Sequence, residues 1–420
     1  MISFEKASEI VQVNAVSTGE EQTELHSATG RILSRDVFSD MDMPPFDKSA
    51  VDGFACRMQD VGSGMQDAGS GMQDPGCRMQ DAGNRMQDAG YRMEMKVIET
   101  IAAGSVPLKT VGKGECSRIM TGGMVPEGAD TVIMVEDTET LSADTIKFLK
   151  EKTSKNICYR AEDISTGQKV LDKGTLLQPA HLAVLASVGQ QRVWVAVEPH
   201  LGIISTGNEL VEPSQKPQGS QIRNSNAMQL YAQARQVTGK CSYLGIADDS
   251  PEDLKDKISM ALEETDIVIL TGGVSMGDFD YVPAAMEELG AEILFKSVAI
   301  QPGRPTVFAR IKNKFIFGLP GNPVSSFVLF ELMVKPFILR MMGCVPDSRM
   351  ISLPMGADYT RKKTGRKSVV PVIIENSVVF PMEYHGSAHI NAYTKASGMM
   401  IMDEDVTSIK KGEPANVRLL

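Results

Sequence analysis

The sequence predicts a multidomain protein in which a parallel-sheet α/β domain is flanked by β-rich regions. Strand-like and helix-like segments alternate over residues 200–340, and this alternation is typical of a right-handed parallel α/β domain. Short strand-like runs fill residues 95–149 and return after Cys344, so we expect a small β domain at the end. With 420 residues the chain is too long for one ordinary hydrophobic core.

Composition argues against several classes of protein. A hydrophobic content of 42% is ample for packed domains, whereas a net charge of -10 argues against a nucleic-acid partner, because phosphate backbones need clustered Lys and Arg. The first residues lack the uninterrupted apolar core of a signal peptide, and no run of about 18 apolar residues predicts a membrane span. The six cysteines form no CxxC pair, which favours reduced thiols in the cytoplasm.

The first expected elements are an amphipathic helix and a polar stretch within residues 1–45, followed by an acidic loop at residues 46–55. A second helix is predicted at residues 180–188. In the α/β part, Ser250 is a good helix cap because Pro251 follows it in the first turn and acidic residues come next. The buried face of that helix is predicted to consist of Leu254, Ile258 and Leu262.

A seven-residue repeat occupies residues 56–93, and its first copy reads CRMQDVG. Every full copy ends in Gly, which disfavours a helix by about 1 kcal/mol each time. One interpretation is a repeat-built binding element, and the other is a tolerated surface insertion. We favour the insertion, because lengthening a surface loop costs little free energy. A flexible, partly helical loop is therefore expected.

Three predicted strands each run directly into a small, Gly-rich, hydroxyl-bearing loop. These segments are residues 201–210 (LGIISTGNEL), 266–281 (DIVILTGGVSMGDFDY) and 315–326 (FIFGLPGNPVSS). Such loops present backbone N–H groups and hydroxyls at helix starts, where anions bind. Because the ends of strands in an open parallel sheet meet at one crevice, we expect the three loops to form one anion-binding site.

The first and third loops offer different chemistry. Glu209, two residues after Gly207, is a candidate ligand for a metal or a sugar hydroxyl, with an ordinary strand-to-helix turn as the alternative. In the third loop two prolines fix the shape of the chain around Gly321 and Asn322. Ser325 and nearby N–H groups are then expected at the positive end of a helix.

The second loop predicts a cation beside the anion. Its paired glycines, Gly272 and Gly273, form an anion cradle to which Ser275 adds a donor. Asp278 and Asp280 stand just behind, and carboxylates there would repel a phosphate. A bridging divalent cation such as Mg²⁺ is therefore expected, and helix capping by one Asp is the alternative.

A set of motifs points to one family. SAVDGFA, RIMTGGMVPEGADTVIMVED, STGNEL, TGGVSMGDFDY, PGRP and GLPGNPVS occur in this order, and with them nearly the whole chain outside the repeats resembles the bacterial MoeA family of molybdopterin molybdenumtransferases. The resemblance implies adenylylated molybdopterin and molybdate as substrates, and molybdenum cofactor and AMP as products. It also implies Mg²⁺ or another divalent cation, a homodimer in the cytoplasm, and contact with the molybdopterin adenylyltransferase.

The resemblance further implies an elongated chain with four subdomains. The expected division is an elongated N-terminal subdomain at residues 1–45 and 151–199, and an inserted β-rich subdomain at residues 46–150 that carries the repeats. A MogA-like α/β molybdopterin-binding domain at residues 200–344 and a C-terminal β domain at residues 345–420 complete it.

The roles of individual residues are likewise implied. In the family the site lies where the α/β domain of one subunit faces the N-terminal loops of the other. The implied catalytic residues are Asp52, Thr121 and Asp280, and the implied metal ligands are Asp52, Asp280 and Glu209; Asp47 is expected to assist. Residues matching the molybdate-binding positions are Gln301, Arg304 and Ser387. The residues expected around the pterin nucleotide are Thr206, Gly207, Glu209, Asp249, Thr271, Gly272, Gly273, Ser275, Pro320, Gly321, Asn322 and Ser325.

Three positions depart from the family pattern. Gln301 stands where many relatives have Lys, and Cys158 and Pro371 stand where relatives often have Arg. Arg160 and Arg366 are the nearby cations expected to substitute. The departures concern molybdate affinity more than pterin binding.

Two other functions compete with insertion of molybdenum. One is the adenylyltransferase step itself, but the smaller enzymes of that kind lack the N-terminal half and the C-terminal β domain. The other is a ligand-binding scaffold without insertion activity, which the three departures would favour. A metal site formed by His385 and His389 is disfavoured, because Gly386 argues against the helix that an HxxxH pair needs.

Overall fold

A computed structural model of the chain describes residues 1–61, 93–274, 281–345, 350–383, 386 and 388–420. Most of the repeat region, together with Ser275, Asp278, Asp280, His385 and Ser387, lies outside the described residues. The predictions made for those positions stay predictions.

The chain divides into two compact units, each described by itself below. The first unit consists of residues 1–36, 171–186 and 190–420, and the second of residues 37–170 and 187–189. The division into four subdomains expected from the sequence stays a prediction.

Residues 1–199 contain the predicted helices and short strands. Helix α1 begins after Ser3, whose hydroxyl accepts a hydrogen bond from the Lys6 backbone N–H, and buries Ala7 and Val11. The described helices here are α1 (Phe4–Val13) and α2 (Pro179–Ser187). The described strands are β1 (Glu20–Glu24), β2 (Val37–Phe38), β3 (Lys48–Ser49), β4 (Gly53–Cys56), β5 (Glu94–Ile101), β6 (Glu115–Ile119), β7 (Thr131–Met134), β8 (Thr138–Ser142), β9 (Thr145–Phe148), β10 (Ile157–Cys158), β11 (Lys169–Leu171) and β12 (Arg192–Ala196).

The second unit is built on a six-stranded sheet with the order β7-β4-β6-β5-β9-β8. In the middle of the sheet, Gly53 of β4 lies opposite Ile119 of β6 and Met134 of β7. A Cβ at Gly53 would lie 1.9 Å from the Ile133 carbonyl oxygen, so glycine is required at this close approach of strands. This packing holds the ends of β4 and β6, and with them the loops that carry Asp52 and Thr121.

The α/β part contains the remaining helices. They are α3 (Ser225–Arg235), α4 (Pro251–Glu264), α5 (Val282–Glu288), α6 (Pro323–Leu329) and α7 (Lys335–Met341), with a π-helical turn at Phe330–Val334 between the last two. The strands are β13 (Leu201–Thr206), β14 (Leu210–Val211), β15 (Ile222–Arg223), β16 (Cys241–Ala247), β17 (Ile267–Thr271), β18 (Glu292–Phe295), β19 (Ile300–Gln301), β20 (Val307–Ile311) and β21 (Lys314–Leu319).

The α/β sheet confirms the predicted parallel architecture. Its order is β16-β13-β17-β21-β20-β18, in which the first four strands are parallel to one another, β20 is antiparallel to β21, and β18 is antiparallel to β20. Alternate residues of β17 enter opposite cores: Ile267 and Ile269 join the core with α3, α6 and α7, whereas Val268 and Leu270 join the core with α4 and α5. Both faces of the sheet are therefore covered by helices, which explains why its strands read as continuous apolar runs.

Helix α4 confirms the boundary predicted from the sequence. The Ser250 side chain accepts a hydrogen bond from the Asp253 backbone N–H, and Pro251 is the first residue of the helix. The buried residues of α4 include the predicted Leu254, Ile258 and Leu262.

The C-terminal part is the expected small β domain. Its strands are β22 (Met350–Pro354), β23 (Tyr359–Thr360), β24 (Lys367–Glu375), β25 (Val378–Pro381), β26 (Gly398–Met402), β27 (Ser408–Ile409) and β28 (Pro414–Leu419). Its main sheet has the order β19-β24-β26-β28-β22, with β25 paired to β24. Val370, Val372, Met400 and Val417 lie in its core.

Two further features bear on the sequence predictions. The five cysteines in the described ranges are free, and burial raises the pKa of the Cys116 thiol to about 12. Among the helices described, none combines the length and the apolar composition needed to cross a membrane.

Candidate functional site

One cavity lies where three neighbouring parallel strands of the α/β sheet end. It has a volume of about 620 Å³, which is in the range of small-molecule sites. The predicted residues that line it come from all three loops and from the end of β16. They are Thr206, Gly207, Glu209, Asp249, Thr271, Gly272, Gly273, Pro320, Gly321 and Asn322.

The loop after β13 is tied to the loop after β16. The Asn208 backbone N–H donates to Asp249 Oδ2 at 3.2 Å, and the Asp249 backbone N–H donates to Asn208 Oδ1 at 3.1 Å. Gly207 has a φ of +144°, and a Cβ there would lie 2.5 Å from Glu209 Oε2. Glycine at this position therefore lets the Glu209 carboxylate fold over the loop at the edge of the cavity.

The paired glycines after β17 approach the first loop closely. Gly272 and Gly273 have φ values of +102° and +61°. A Cβ on Gly272 would lie 2.5 Å from the Thr206 carbonyl oxygen, and one on Gly273 would lie 2.9 Å from Thr206 Oγ1. Thr206 Oγ1 is itself buried and has no hydrogen-bond partner among the described residues. A buried hydroxyl without a partner costs free energy, so its place in the cavity wall suits a ligand that bonds to it.

The third loop contains Pro320, and α6 begins with Pro323. Gly321 and Asn322 are exposed at the cavity, whereas Ser325 is only 3% exposed and lies inside the first turns of α6. Ser325 is not among the residues that line the cavity. Its expected contact with a ligand stays a prediction.

The charges around the cavity are mostly negative. Glu209 and Asp249 carry carboxylates, and Arg223 is the one cation among the lining residues in the described part of the chain. Carboxylate oxygens are the ligands that Mg²⁺ prefers, so the donor set fits a divalent cation held together with an anionic substrate. Within the described ranges, no cluster of three or more His, Cys, Asp or Glu side chains is arranged around a common metal position.

Asp52 and Thr121, in the second unit, contact each other. Asp52 Oδ1 accepts hydrogen bonds from the Thr121 backbone N–H at 2.6 Å and from Thr121 Oγ1 at 2.8 Å. The backbone hydrogen bond and then the hydroxyl hydrogen bond hold the pKa of Asp52 below its ordinary value. The pair therefore presents an exposed carboxylate that stays ionised at neutral pH.

Asp47 and Arg160 lie nearby in the same unit. The Arg160 backbone N–H donates to Asp47 Oδ1 at 2.8 Å, while its guanidinium bonds to Asp42. Cys158 pairs with Lys48 in the short β3–β10 ladder. Arg160 is exposed, so its expected role as a substitute cation stays a prediction.

The turn with Gln301 and Arg304 joins the C-terminal sheet. Gln301 lies opposite Ser368 in the pairing of β19 with β24, and the Arg366 guanidinium donates to Gln301 Oε1 at 3.2 Å. Arg304 is exposed. Pro371, by contrast, is buried within β24 opposite Met399. Arg366 thus lies beside Gln301, and its expected role as a substitute cation stays a prediction.

Sequence reasoning missed several residues that line the cavity, among them Arg223, Asn224 and Asn226. Arg223 ends β15, and the two asparagines stand at the start of α3. Asn224 caps the helix through the Ala227 backbone N–H. The signal was the run Arg223-Asn224-Ser225-Asn226, whose asparagines indicate a helix start, but nothing in the sequence places that helix beside the three loops.

Three family descriptions match successive parts of the chain. Residues 2–189 match the MoeA N-terminal region (domain I and II), residues 202–340 match a probable molybdopterin binding domain, and residues 354–420 match the MoeA C-terminal region (domain IV).

Whole-chain relatives share these regions. A protein of Staphylococcus epidermidis (strain ATCC 35984) named molybdopterin molybdenumtransferase is 33% identical over 426 residues, which cover 100% of this chain and 95% of the relative. A protein of the same name from Staphylococcus aureus (strain MSSA476) is 34% identical over 403 residues, covering 94% and 90% of the two chains.

Solved structures are similar over the full length. The crystal structure of the molybdopterin biosynthesis moeA protein from Pyrococcus horikoshii OT3 has a TM-score of 0.80 at 28% identity, and the match covers 100% of each chain. The crystal structure of a molybdopterin biosynthesis moea protein described as from Pyrococcus horikosii has a TM-score of 0.75 at 31% identity, and the match covers 100% of this chain and 99% of the other.

Proposed function

The chain belongs to the MoeA family of molybdenum cofactor biosynthesis, and from this we propose that it is a molybdopterin molybdenumtransferase acting on adenylylated molybdopterin and molybdate. In the proposed reaction water adds across the phosphoanhydride, so that AMP leaves and the pterin keeps its own phosphate. The two dithiolene thiols bind molybdenum as an oxygen of molybdate leaves as water with their protons. The observation that carries the proposal is that three Gly-rich loops at adjacent parallel strand ends line one and the same cavity.

The loops have the donors that a nucleotide phosphate needs. The Gly273 N–H lies in left-handed backbone next to the Thr206 hydroxyl, which has no hydrogen-bond partner among the described residues. Backbone N–H groups at such a turn, together with a neighbouring hydroxyl, form an anion-binding concavity. Gly321 and Asn322 border the same space, so the pterin nucleotide is proposed to lie with its phosphates across the second and third loops.

Glu209 and Asp249 are proposed to hold a divalent cation, Mg²⁺ in the simplest case, with Asp280 as a further ligand. When bound, this cation offsets the negative charge of the phosphoanhydride and polarises the bond that breaks. Glu209 is exposed at the cavity and Asp249 is fixed by Asn208, so one carboxylate can move and the other is held.

Asp52 and Thr121 are proposed to act from the second copy in a homodimer, as the family resemblance implies. The two hydrogen bonds from Thr121 hold one carboxylate oxygen of Asp52. Its other oxygen is then oriented toward the cation or the leaving phosphate. Because the pKa of Asp52 is lowered, the group is ready as an anion without a prior loss of a proton.

Molybdate is proposed to bind beside the turn of Gln301 and Arg304, with Ser387 adding a hydroxyl. Arg366 supports this proposal, because its guanidinium reaches the Gln301 amide and supplies the charge that a Lys would have carried. Two guanidinium groups suit a tetrahedral oxyanion, since each offers several N–H donors in one plane. The protein is further proposed to work in the cytoplasm and to take its substrate from the molybdopterin adenylyltransferase.

The test is an assay of AMP release from adenylylated molybdopterin with Mg²⁺, run with and without molybdate. We expect AMP release that depends on molybdate. Adenylate formation from ATP would indicate the adenylyltransferase step instead, and tight nucleotide binding without turnover would indicate a scaffold. Failure to bind adenylylated molybdopterin at all would refute the proposal.

A further inference from the structure

We infer that Asn226 is a positioning residue that clamps the second and third loops together and so sets the shape of the nucleotide site. The inference rests on the proposed function, since it assigns these two loops to phosphate binding. It concerns a residue that contacts the loops from a neighbouring helix.

The start of α3 fixes where Asn226 lies. Asn224 is 1% exposed, and its Oδ1 accepts hydrogen bonds from Ser205 Oγ at 2.9 Å and from the Ala227 backbone N–H at 3.2 Å. The first turn of α3 is thereby attached to the end of β13. Asn226, the second residue of the helix, is 8% exposed.

The Asn226 amide joins both loops at once. Its Nδ2 donates to Thr271 Oγ1 at 2.9 Å and to the Gly321 carbonyl oxygen at 2.7 Å. The Thr271 hydroxyl in turn donates to the Pro320 carbonyl oxygen at 3.3 Å. An NH₂ group has two hydrogens for two acceptors, which neither a carboxylate nor a single hydroxyl provides.

The hydrogen bonds of Asn226 lie just beyond the point where strand pairing in the sheet ends. Strands β17 and β21 pair up to Thr271 and Leu319, and the Gly272 backbone N–H still donates to the Leu319 carbonyl at 3.0 Å. Beyond this point Pro320 and Pro323 have no N–H to donate. A Cβ on Gly321 would lie 3.5 Å from Gly272 Cα, so the two loops are already in close contact there.

A change at Asn226 should therefore alter the site through the positions of the two loops. Loss of the amide leaves the Gly321 carbonyl and the Thr271 hydroxyl without that donor and frees the third loop to move away from Gly272. The Gly273 N–H of the second loop and the exposed edge of the third loop then no longer face one phosphate group together. Binding of the nucleotide weakens, while the turn of Gln301 and Arg304 is unaffected.

The experiment compares Asn226→Ala with Gln233→Ala. Gln233 is a matched control because it is a buried amide, 5% exposed, two turns later on α3, and it bonds to Phe327 O and Glu331 rather than to the loops. The measurements are the Kd of adenylylated molybdopterin by calorimetry and the half-saturating molybdate concentration for AMP release at saturating nucleotide. Thermal unfolding of both variants is measured alongside.

We expect Asn226→Ala to raise the nucleotide Kd about tenfold, as for the loss of two hydrogen bonds, with molybdate half-saturation unchanged. Gln233→Ala should keep the Kd within about twofold of the wild type at a similar loss of stability. Equal Kd values for Asn226→Ala and wild type, or equal weakening in both variants, would overturn the inference. If the wild type does not bind the nucleotide, the proposed function fails, and a crystal structure of Asn226→Ala then decides whether the loops separate.

Discussion

At the scale of single residues, the Asp52–Thr121 pair shows how a hydrogen bond sets an ionisation state. Thr121 donates twice to one oxygen of Asp52, and the backbone N–H is the stronger cause of the lowered pKa. A lowered pKa means that the folded protein favours the carboxylate. The resulting stabilisation is present above the ordinary pKa of an aspartate and is lost as the pH falls through the lowered value.

We predict that Thr121→Val raises the pKa of Asp52 part of the way to its ordinary value, because one of the two donors is removed and the backbone N–H remains. The acid limb of the pH profile of AMP release should then shift to higher pH. Thr121→Ser is the matched control, since it retains a hydroxyl at the same place. An acid limb that is identical in the Val variant and the wild type would show that this hydrogen bond does not tune Asp52.

A second prediction concerns Gly272, whose φ of +102° and closeness to the Thr206 carbonyl both exclude a side chain. We expect Gly272→Ala to lower the free energy of unfolding by about 1–2 kcal/mol through backbone strain. The collision of the new Cβ with the Thr206 carbonyl oxygen should lower it by about 1–3 kcal/mol more. Gly290→Ala is the control, since Gly290 has a φ of +79° and open space around its Cβ position. Urea unfolding should show the smaller loss in the control; equal losses would contradict the argument from close contact.

At the scale of elements, helix α4 shows how a sequence pattern determines which side chains are buried. Its N-terminal cap, its first-turn proline and its buried face are those predicted from the sequence. Ile258 is 0% exposed in the core between α4, α5 and the sheet, whereas Met260 on the same helix is 67% exposed. Substitutions at these two positions can therefore be compared to measure what burial contributes to the free energy of unfolding.

We predict that Ile258→Ala lowers the free energy of unfolding by about 2–5 kcal/mol, through lost burial and the cavity that remains. Met260→Ala should change it by no more than about 0.5 kcal/mol, because the side chain is in water in both states. Chemical denaturation of the two variants beside the wild type provides the measurement. A loss of less than 1 kcal/mol for Ile258→Ala would mean that this face of the sheet repacks freely.

At the scale of the whole molecule, the proposed homodimer makes a prediction about mixed subunits. Asp52→Ala and Glu209→Ala should each abolish turnover alone. In a purified heterodimer of the two variants, one site would receive Asp52 and Glu209 intact from different subunits and the other would receive neither. We therefore expect about half of the wild-type activity per dimer, by counting intact sites.

A site formed within one chain predicts a different result for the heterodimer. If Asp52 and Glu209 of the same chain formed one site, each site of the heterodimer would carry one alteration, and no activity would return. Analytical ultracentrifugation of the two variants provides the control that both still assemble. A monomeric wild type would remove the basis of the prediction.

Much of the fold could be predicted from local patterns. Buried strands, helix caps and left-handed turns restrict which residues fit, so each can be recognised from a few neighbouring residues. This holds for the apolar runs of β13, β17 and β21, for the Ser250 cap and for the Gly-rich loops. The joint order of the motifs identified the family. The site was predicted less completely: Asn224 and Asn226 look like an ordinary helix start, and only their position beside the loops gives them further meaning.

The sequence by itself determined the main elements, the family and the three loops that line the cavity, since each depends on residue types at short spacing. Only the tertiary structure decided which groups meet: Asn226 with Thr271 and Gly321, Arg366 with Gln301, and Asp52 with Thr121. These residues are separated in the chain by 45 to 95 positions, by 65 and by 69 respectively. Hydrogen bonds of this kind act over about 3 Å in space, and no local pattern records which distant segments the packing of the core will bring to that distance.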